Sequence, residues 1–595
     1  MKKSSYNIFV FIVTLLVITN VSAQELDSLS VANTEYGLLL KSDAKEMDVM
    51  FYKHHYDVPI NNLGPFGSPS YVPTAFSLRD KHVLKESNLL AVKLYKLSGF
   101  KPFTNVTYIN ASRKEQHFYI KHIQEFGKLI QLEFDFKKIS SPGIYLNQEA
   151  NNTLFTGSLK YKSKNNNYSI KFSNGIFRDF FQENGGVEDT DLYELNVIND
   201  SKNLTVNLQN SNSFKKKYNY FIEQRLDLIN LGIDSINYKV LYLNYNLFYT
   251  TKQRVFFDND SNSTYYINSY IDPISSVDSV FNNNFSNLFS VGLKGGNYRV
   301  EAYTNFDKIN YSQSNGIDTS YNNLWVGAIG SYKNKFLQLN FKGQFGVKGY
   351  NYKDIDSELN FSYNKKKYIL KGGASYYRNE PELKYKNYFS NHFSWNNYSF
   401  TKEAIIGGYF DFQLKKAKID FKGETKLINN SLFYDSLSIA RQENNQVMIT
   451  SLLLAKDYRL LNFHFRTAFI YQLTSDELLF PLPEVVGRQV LYYQRKIFKG
   501  AMKFQIGAGF SYSTNYFGYA YMPAIGEYTK QGGSTEMGFY PRLDLFINTR
   551  LKRAQIFLKY EHFNAGRSLQ KSYITQGYPP MGKSLKFGVS WNMFD

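Results

Sequence analysis

Ser584-Leu585-Lys586-Phe587-Gly588-Val589-Ser590-Trp591-Asn592-Met593-Phe594-Asp595 stands at the C-terminal end of the chain and alternates almost without fault. In an extended strand, successive side chains point to opposite faces. Leu585, Phe587, Val589, Trp591 and Met593 therefore share one face, and Ser584, Lys586, Gly588, Ser590 and Asn592 share the other. A strand of a water-soluble sandwich carries the same pattern. Here it recurs over hundreds of residues behind a secretory leader, and together these predict a transmembrane β-barrel of an outer membrane.

The leader is read from its three parts. Lys2 and Lys3 form a basic start, Ile8 to Thr19 an apolar core, and Val21-Ser22-Ala23 a small-residue cleavage site. This places a signal peptide at residues 1–23 and the mature start at Gln24. The apolar core is too short for a membrane helix, which needs ~20 residues. No Cys follows, which excludes a lipoprotein anchor, and no later segment offers a helix-length apolar run. A mature chain in a membrane must then cross it as a closed barrel, because open strands leave backbone groups unsatisfied in lipid.

Ordinary soluble chains of 595 residues split into domains, yet Pro numbers only 14 and no hinge-like stretch divides this one. A single barrel over residues 101–595 accounts for the length. The absence of Cys removes disulfides and thiol chemistry. Losing Lys2 and Lys3 with the leader takes the formal charge from +19 to +17. Basic chains rich in aromatics suit nucleic acid, but an exported chain rarely meets it. Lipopolysaccharide, an anion-favouring pore or merely solvated loops are the alternatives for the excess charge.

Tyr and Phe number 50 each, which favours strands and suits the aromatic girdles of barrels. Alternating segments run through Leu132–Lys137, Leu337–Phe345, Met502–Ser513, Arg542–Arg550 and Ala554–Glu561. Lys333-Asn334-Lys335 and Asn364–Lys367 read as periplasmic hairpins. Asp258–Thr264, Asp278–Asn287 and Leu427–Asn445 read as external loops. The expected fold is all-β: a large single-chain transmembrane antiparallel up-and-down β-barrel of roughly 22 to 26 strands. Residues 24–100 are turn-rich and weakly patterned. They hang in the periplasm, form early strands or fold into the lumen; composition leaves all three open.

Three stretches resemble the putative porin family of outer-membrane proteins common in Bacteroidota. One is the turn Leu63-Gly64 to Gly67-Ser68-Pro69. Another is Lys114-Glu115-Gln116-His117-Phe118 with His122-Ile123-Gln124 and Ile139 to Tyr145. The third includes Tyr540 to Asn548, Phe557 to Gly566, Gly577-Tyr578-Pro579-Pro580 and Leu585 to Trp591. The resemblance implies an outer-membrane barrel that acts as a diffusion channel, and it carries no catalytic or binding residues with it.

Catalytic chemistry finds little footing. His117 and His122 are five apart on a strand and face opposite ways, and His54-His55 lacks zinc-site partners. His392-Phe393-Ser394 has the His-x-Ser spacing of outer-membrane phospholipases, an arrangement that also arises by chance. No cofactor, metal or phosphate-binding loop is expected, and the chain is read as a non-enzyme.

The interior face is the more credible functional surface. With the apolar members toward lipid, Arg542, Asp544, Lys559, Glu561, Lys503, Lys586, Lys342, Glu133, Asp135 and Lys137 become the pore-lining candidates. Lys or Arg on the lipid face would cost ~2–4 kcal/mol near the midplane. Such charges either set a field across a wet channel or pair with one another and fill the wall. The leading functional expectation is a passive porin-like channel for small hydrophilic solutes, with an anion preference. The alternative is a plugged or gated barrel acting in active uptake, lipid export or as an assembly partner. Expected contacts are outer-membrane lipid, lipopolysaccharide, the barrel-assembly machinery during insertion and the solutes themselves, with no nucleic acid.

Overall fold

The alternating segments are strands with their apolar members outward. In Ser584–Phe594, Leu585, Phe587, Trp591 and Met593 are exposed, while Lys586, Ser590 and Asn592 are buried. In Ala554–Glu561, Ile556, Leu558 and Tyr560 are exposed, while Phe557, Lys559 and Glu561 are buried. This inverts the order of a water-soluble protein, as expected where the outer solvent is hydrocarbon and the inner one polar. The computed structural model describes residues 102–195, 201–230, 239–259, 264–533, 535–538, 541–566, 573, 575–580 and 582–594. The expected leader, the turn-rich segment 24–100, the Leu63 to Pro69 turn and His54-His55 lie outside the described residues.

Each strand pairs antiparallel with its sequence neighbour, forming a sheet of 22 strands. The first, Phe103–Ala111, pairs with the last, Ser584–Phe594, from Phe103↔Phe594 to Ala111↔Lys586, and so closes the ring. Closure leaves no unpaired edge to face lipid. Among the described residues no helix is long and apolar enough to cross a membrane.

On one rim the connections are tight, as in Gly127–Leu129, Asn334–Phe336 and Lys365–Lys367, so both expected hairpins are present. Long connections leave the opposite rim, among them 183–210, 380–402, 430–446, 514–541 and 562–583. In outer-membrane barrels the tight rim is periplasmic and the looped rim external. Asp278–Asn287 is not a loop: it lies within the eighth strand, Ser276–Lys294. Phe281, Phe285 and Phe289 point outward there, and the intervening outward Asn283 and Asn287 hide the alternation. Of Leu427–Asn445, the first three residues belong to the strand Ile419–Asn429, and the rest carries a hairpin, Ser431–Tyr434 with Ala440–Glu443.

Strands six to eight, Ser211–Asn230, Val240–Asp258 and Ser276–Lys294, have 20, 19 and 19 residues. Crossing the membrane needs only ~9–11 tilted residues. This part of the wall therefore extends well beyond the bilayer.

Described parts of three external connections fold over the bore. One buried cluster joins inward-facing wall residues, including Phe181, Tyr377, Ile405 and Ile449, to Leu479, Phe480, Tyr519, Tyr521, Tyr528 and Tyr578 of three loops. The wall members come from the fourth and fifth strands and from the thirteenth to sixteenth, which are opposite arcs of a ring of 22.

Candidate functional site

The connection 514–541 begins at the nineteenth strand, Met502–Ser513, and ends at the twentieth, Arg542–Leu551. Its hairpin, Ala520–Met522 with Glu527–Thr529, reaches the seventh strand, nine or more positions away whichever way the ring is followed. There Arg254 Nη1 donates to the Ala524 carbonyl at 2.7 Å, and Arg254 Nη2 donates to that of Pro523. Tyr521 donates to Glu183 Oε1 at 3.3 Å, and Lys384 Nζ reaches Glu527 Oε1 at 2.8 Å. Tyr519 donates to the Leu479 carbonyl at 2.8 Å. This strap crosses the external mouth and is fastened at both sides of it.

The turn Pro523-Ala524-Ile525-Gly526 needs its glycine. Gly526 has φ +69°, and a Cβ there would lie 2.5 Å from Arg254 Nε. Glu183 is fully buried, and burial pushes its carboxyl up, opposed by the Ser213 hydroxyl and by the Lys215 and Arg254 charges.

Beneath the strap lies a chamber of about 1110 Å³. Its barrel side carries Lys215, Lys217, Lys252 and Arg254, and its loop side aromatic rings such as Tyr385, Tyr388 and Tyr434. Burial pushes the Tyr388 hydroxyl up to about 12, so these rings remain neutral donors. The loop-side acids are matched by bases: Glu380 with Lys386 and Lys402, and Glu527 with Lys384. At about 1110 Å³ the chamber is slightly above the ~300–1,000 Å³ scale of small-molecule sites.

The ten sequence candidates fall elsewhere. Arg542, Asp544, Lys559, Glu561 and Lys586 form one network at the looped rim, beside the seam between the first and last strands. Lys559 Nζ lies 3.1 Å from Glu561 and 3.5 Å from Asp544, Arg542 lies 3.6 Å from Glu561, and Lys586 lies 3.4 Å from Glu561. Glu115 joins this network through Lys586 at 2.7 Å, and His117 bonds Glu115 at 2.7 Å. Glu133 and Asp135 share Lys121 at 2.9 and 3.3 Å. Lys137 sits 5.2 Å from the Tyr119 ring centre. Lys503 is half-buried opposite Arg550, and Lys342 is exposed opposite Glu358. None of the ten touches the chamber. Sequence reading missed Lys215, Lys217, Lys252 and Arg254, whose signal was the run Lys215-Lys216-Lys217 on one strand and the spacing Lys252-x-Arg254 on the next.

His392 does not meet Ser394. Its Nε2 is 2.7 Å from Ser276 Oγ, its Nδ1 is 2.8 Å from the Asn268 carbonyl, and Ser394 is exposed. The ring stacks on Tyr266 at 3.9 Å, and Ser276 is buried, so the group ties loop to wall. Among the described residues no cluster of His, Asp or Glu could hold a metal.

A closed antiparallel ring, lipid-compatible outside and polar inside, defines the class: a single-chain outer-membrane β-barrel. The chain belongs to the family described as "Putative porin", whose model matches residues 95–595. No curated protein matches it in sequence. Among solved structures it is similar to the FrpB iron transporter from Neisseria meningitidis, with a TM-score of 0.57 at 10% identity, covering 86% of this chain and 83% of that one. The copper transporter OprC gives 0.59 at 10%, covering 84% and 81%. The siderophore receptor PirA from Acinetobacter baumannii gives 0.55 at 10%, covering 84% and 81%. At these identities the likeness is one of fold.

Proposed function

We propose that the protein is a loop-gated outer-membrane channel for small hydrophilic solutes, favouring anions. A ring of 22 strands encloses a bore wide enough to need filling, whereas porins of 16 to 18 strands leave an open channel. The observation that carries the reading is the strap, which spans the bore from the nineteenth strand to the seventh and rests on Arg254. In the same proposal, residues 1–23 are a cleaved leader, the barrel-assembly machinery inserts the chain, and exposed basic loops meet lipopolysaccharide. Lys342 and Lys503 line the pore, while the other eight candidates brace its wall.

The test is single-channel conductance of the refolded mature chain, with and without replacement of residues 520–529 by a short Gly-Ser turn. The intact chain should stay closed or open rarely, and the shortened one should conduct steadily with anion preference. Steady, large conductance from the intact chain would make it an open passive porin. Silence from both folded forms would favour a second reading, uptake driven from the inner membrane. The likeness in fold to barrels named as iron and copper transporters supports that reading.

A further inference from the structure

We infer that the outer wall of the third to sixth strands is a docking surface for lipopolysaccharide, held by its phosphates. This site deepens the lipopolysaccharide contact proposed above, moving it from loops to wall, and rests on the looped rim being external. Lys138 belongs to the third strand, Ile130–Ser141, and lies opposite Thr153 of the fourth, Ala150–Lys162. Thr153 lies opposite Arg178 of the fifth strand, Tyr168–Gln182, and Arg178 opposite Lys216 of the sixth. Directly paired residues share a face of the sheet, so these four form one row. Lys216 shares that face with Phe214 and Tyr220, which are exposed, as are Lys138, Arg178 and Lys216 themselves. Arg178 and Lys216 stand ~5 Å apart across the strands. Lys138 is two strands from Arg178, ~10 Å away.

Among the described residues no hydrogen bond or ion pair engages the side chains of Lys138, Arg178 or Lys216. The acids of the third to seventh strands, Glu133, Asp135, Asp179, Glu223, Asp227 and Asp258, alternate onto the opposite, inward face. Like charges directly opposite one another oppose pairing, so Arg178 and Lys216 gain from an anion held between them. Phosphate suits Arg178, whose guanidinium donates to two oxygens at once.

The row also stands at the right height. Lys138 is the ninth residue of its strand from the periplasmic rim, and Arg178 the eleventh. Crossing the membrane takes ~9–11 residues, so these cations emerge where the outer leaflet meets water. Lys308 of the ninth strand, Tyr298–Gln313, and Arg378 of the thirteenth, Tyr368–Asn379, are outward and exposed at the same eleventh position. On the periplasmic side of the row, Phe136, Phe155 and Ile176 continue the apolar wall that acyl chains cover. On its external side Phe180 and Phe214 pack at 4.9 Å, and Phe214 meets Phe257 at 5.9 Å. Apolar surface exposed beyond the hydrocarbon marks an interaction site, and the C–H faces of sugar rings fit these aromatic rings. Lipopolysaccharide carries acyl chains, phosphates and sugars in that order, whereas a phospholipid lacks the sugars.

The test is native mass spectrometry of the intact mature chain in detergent, titrated with deep-rough lipopolysaccharide, with phosphatidylglycerol and with pyrophosphate. Lipopolysaccharide should be retained at least tenfold more tightly than phosphatidylglycerol, and pyrophosphate should not be retained. Arg178→Gln with Lys216→Gln should weaken lipopolysaccharide binding at least tenfold, and enzymatic removal of the lipid's phosphates should weaken it as much. Phe214→Ser should weaken lipopolysaccharide and leave phosphatidylglycerol unaltered. Replacing Lys366 and Lys367 of a periplasmic hairpin by Gln should change nothing. Lys138→Gln alone serves should the double variant not fold. Equal retention of the two lipids, or of pyrophosphate and lipopolysaccharide, would overturn the site. Lipopolysaccharide binding that survives the folded wall variants would overturn the wall site and leave the contact to the loops. No binding at all would end both, while conductance would still judge the channel.

Discussion

Lys586 Nζ lies 2.7 Å from Glu115 Oε1, joining residues 471 positions apart in the chain. Lys586 belongs to the last strand, and Glu115 to the turn after the first. The bond therefore spans the seam where the ring closes. Both groups are buried, and Lys586 also reaches Glu561.

Removing one partner of a buried ion pair leaves an uncompensated charge, at ~3–5 kcal/mol. Lys586→Ala should destabilise the barrel by about that amount. Adding Glu115→Gln and Glu561→Gln should recover part of the loss. Urea unfolding in detergent micelles reads both, and an unchanged midpoint in Lys586→Ala would show that the seam does not depend on this bond.

Phe587, next to Lys586, points the other way and is 47% exposed. Phe587→Arg should cost ~1–4 kcal/mol, since the cost of Arg on the lipid face rises from the interface to the midplane. The measurement is equilibrium folding into lipid vesicles. A variant folding as well as the parent would mean that this face does not meet lipid.

The connection 380–402 titrates. Burial alone would raise the Glu380 carboxyl, but hydrogen bonds from Lys386 and Lys402 outweigh it and hold the carboxyl below its usual range. A depressed carboxylate contributes stability that is present above its unfolded value and lost as pH falls through the folded one. The loop should therefore resist protease at neutral pH and become cleavable only well into the acid range. Glu380→Gln should be cleavable already at neutral pH. Equal protection of both forms across the range would remove Glu380 from the account.

Gly526→Ala tests the latch without deleting the strap. It places a Cβ 2.5 Å from Arg254 Nε and holds a side chain at φ +69°, a backbone region costing L-residues ~1–2 kcal/mol. More frequent channel openings are expected, with the barrel itself intact by heat-modifiable migration. A variant as closed as the parent would argue against Arg254 as the fastening point.

Much of this molecule was written in single strands. The alternation of Leu585, Phe587, Trp591 and Met593 against Lys586, Ser590 and Asn592 determined strand, membrane and facing together, because a two-residue period has only two faces. Tight hairpins such as Lys333-Asn334-Lys335 were equally local. The seam, the strap and the chamber were not. Sequence could place Lys559 and Lys586 on an inward face. Only the closed ring set them against Glu561 and Glu115, because that pairing joins distant parts of the chain. Likewise the basic residues of strands six and seven were plain in the sequence, but register made Lys217 face Lys252. A loop rooted twelve strands later laid its hairpin over them. Periodicity fixes which way a side chain points; what it meets there depends on contacts that only the closed barrel brings together.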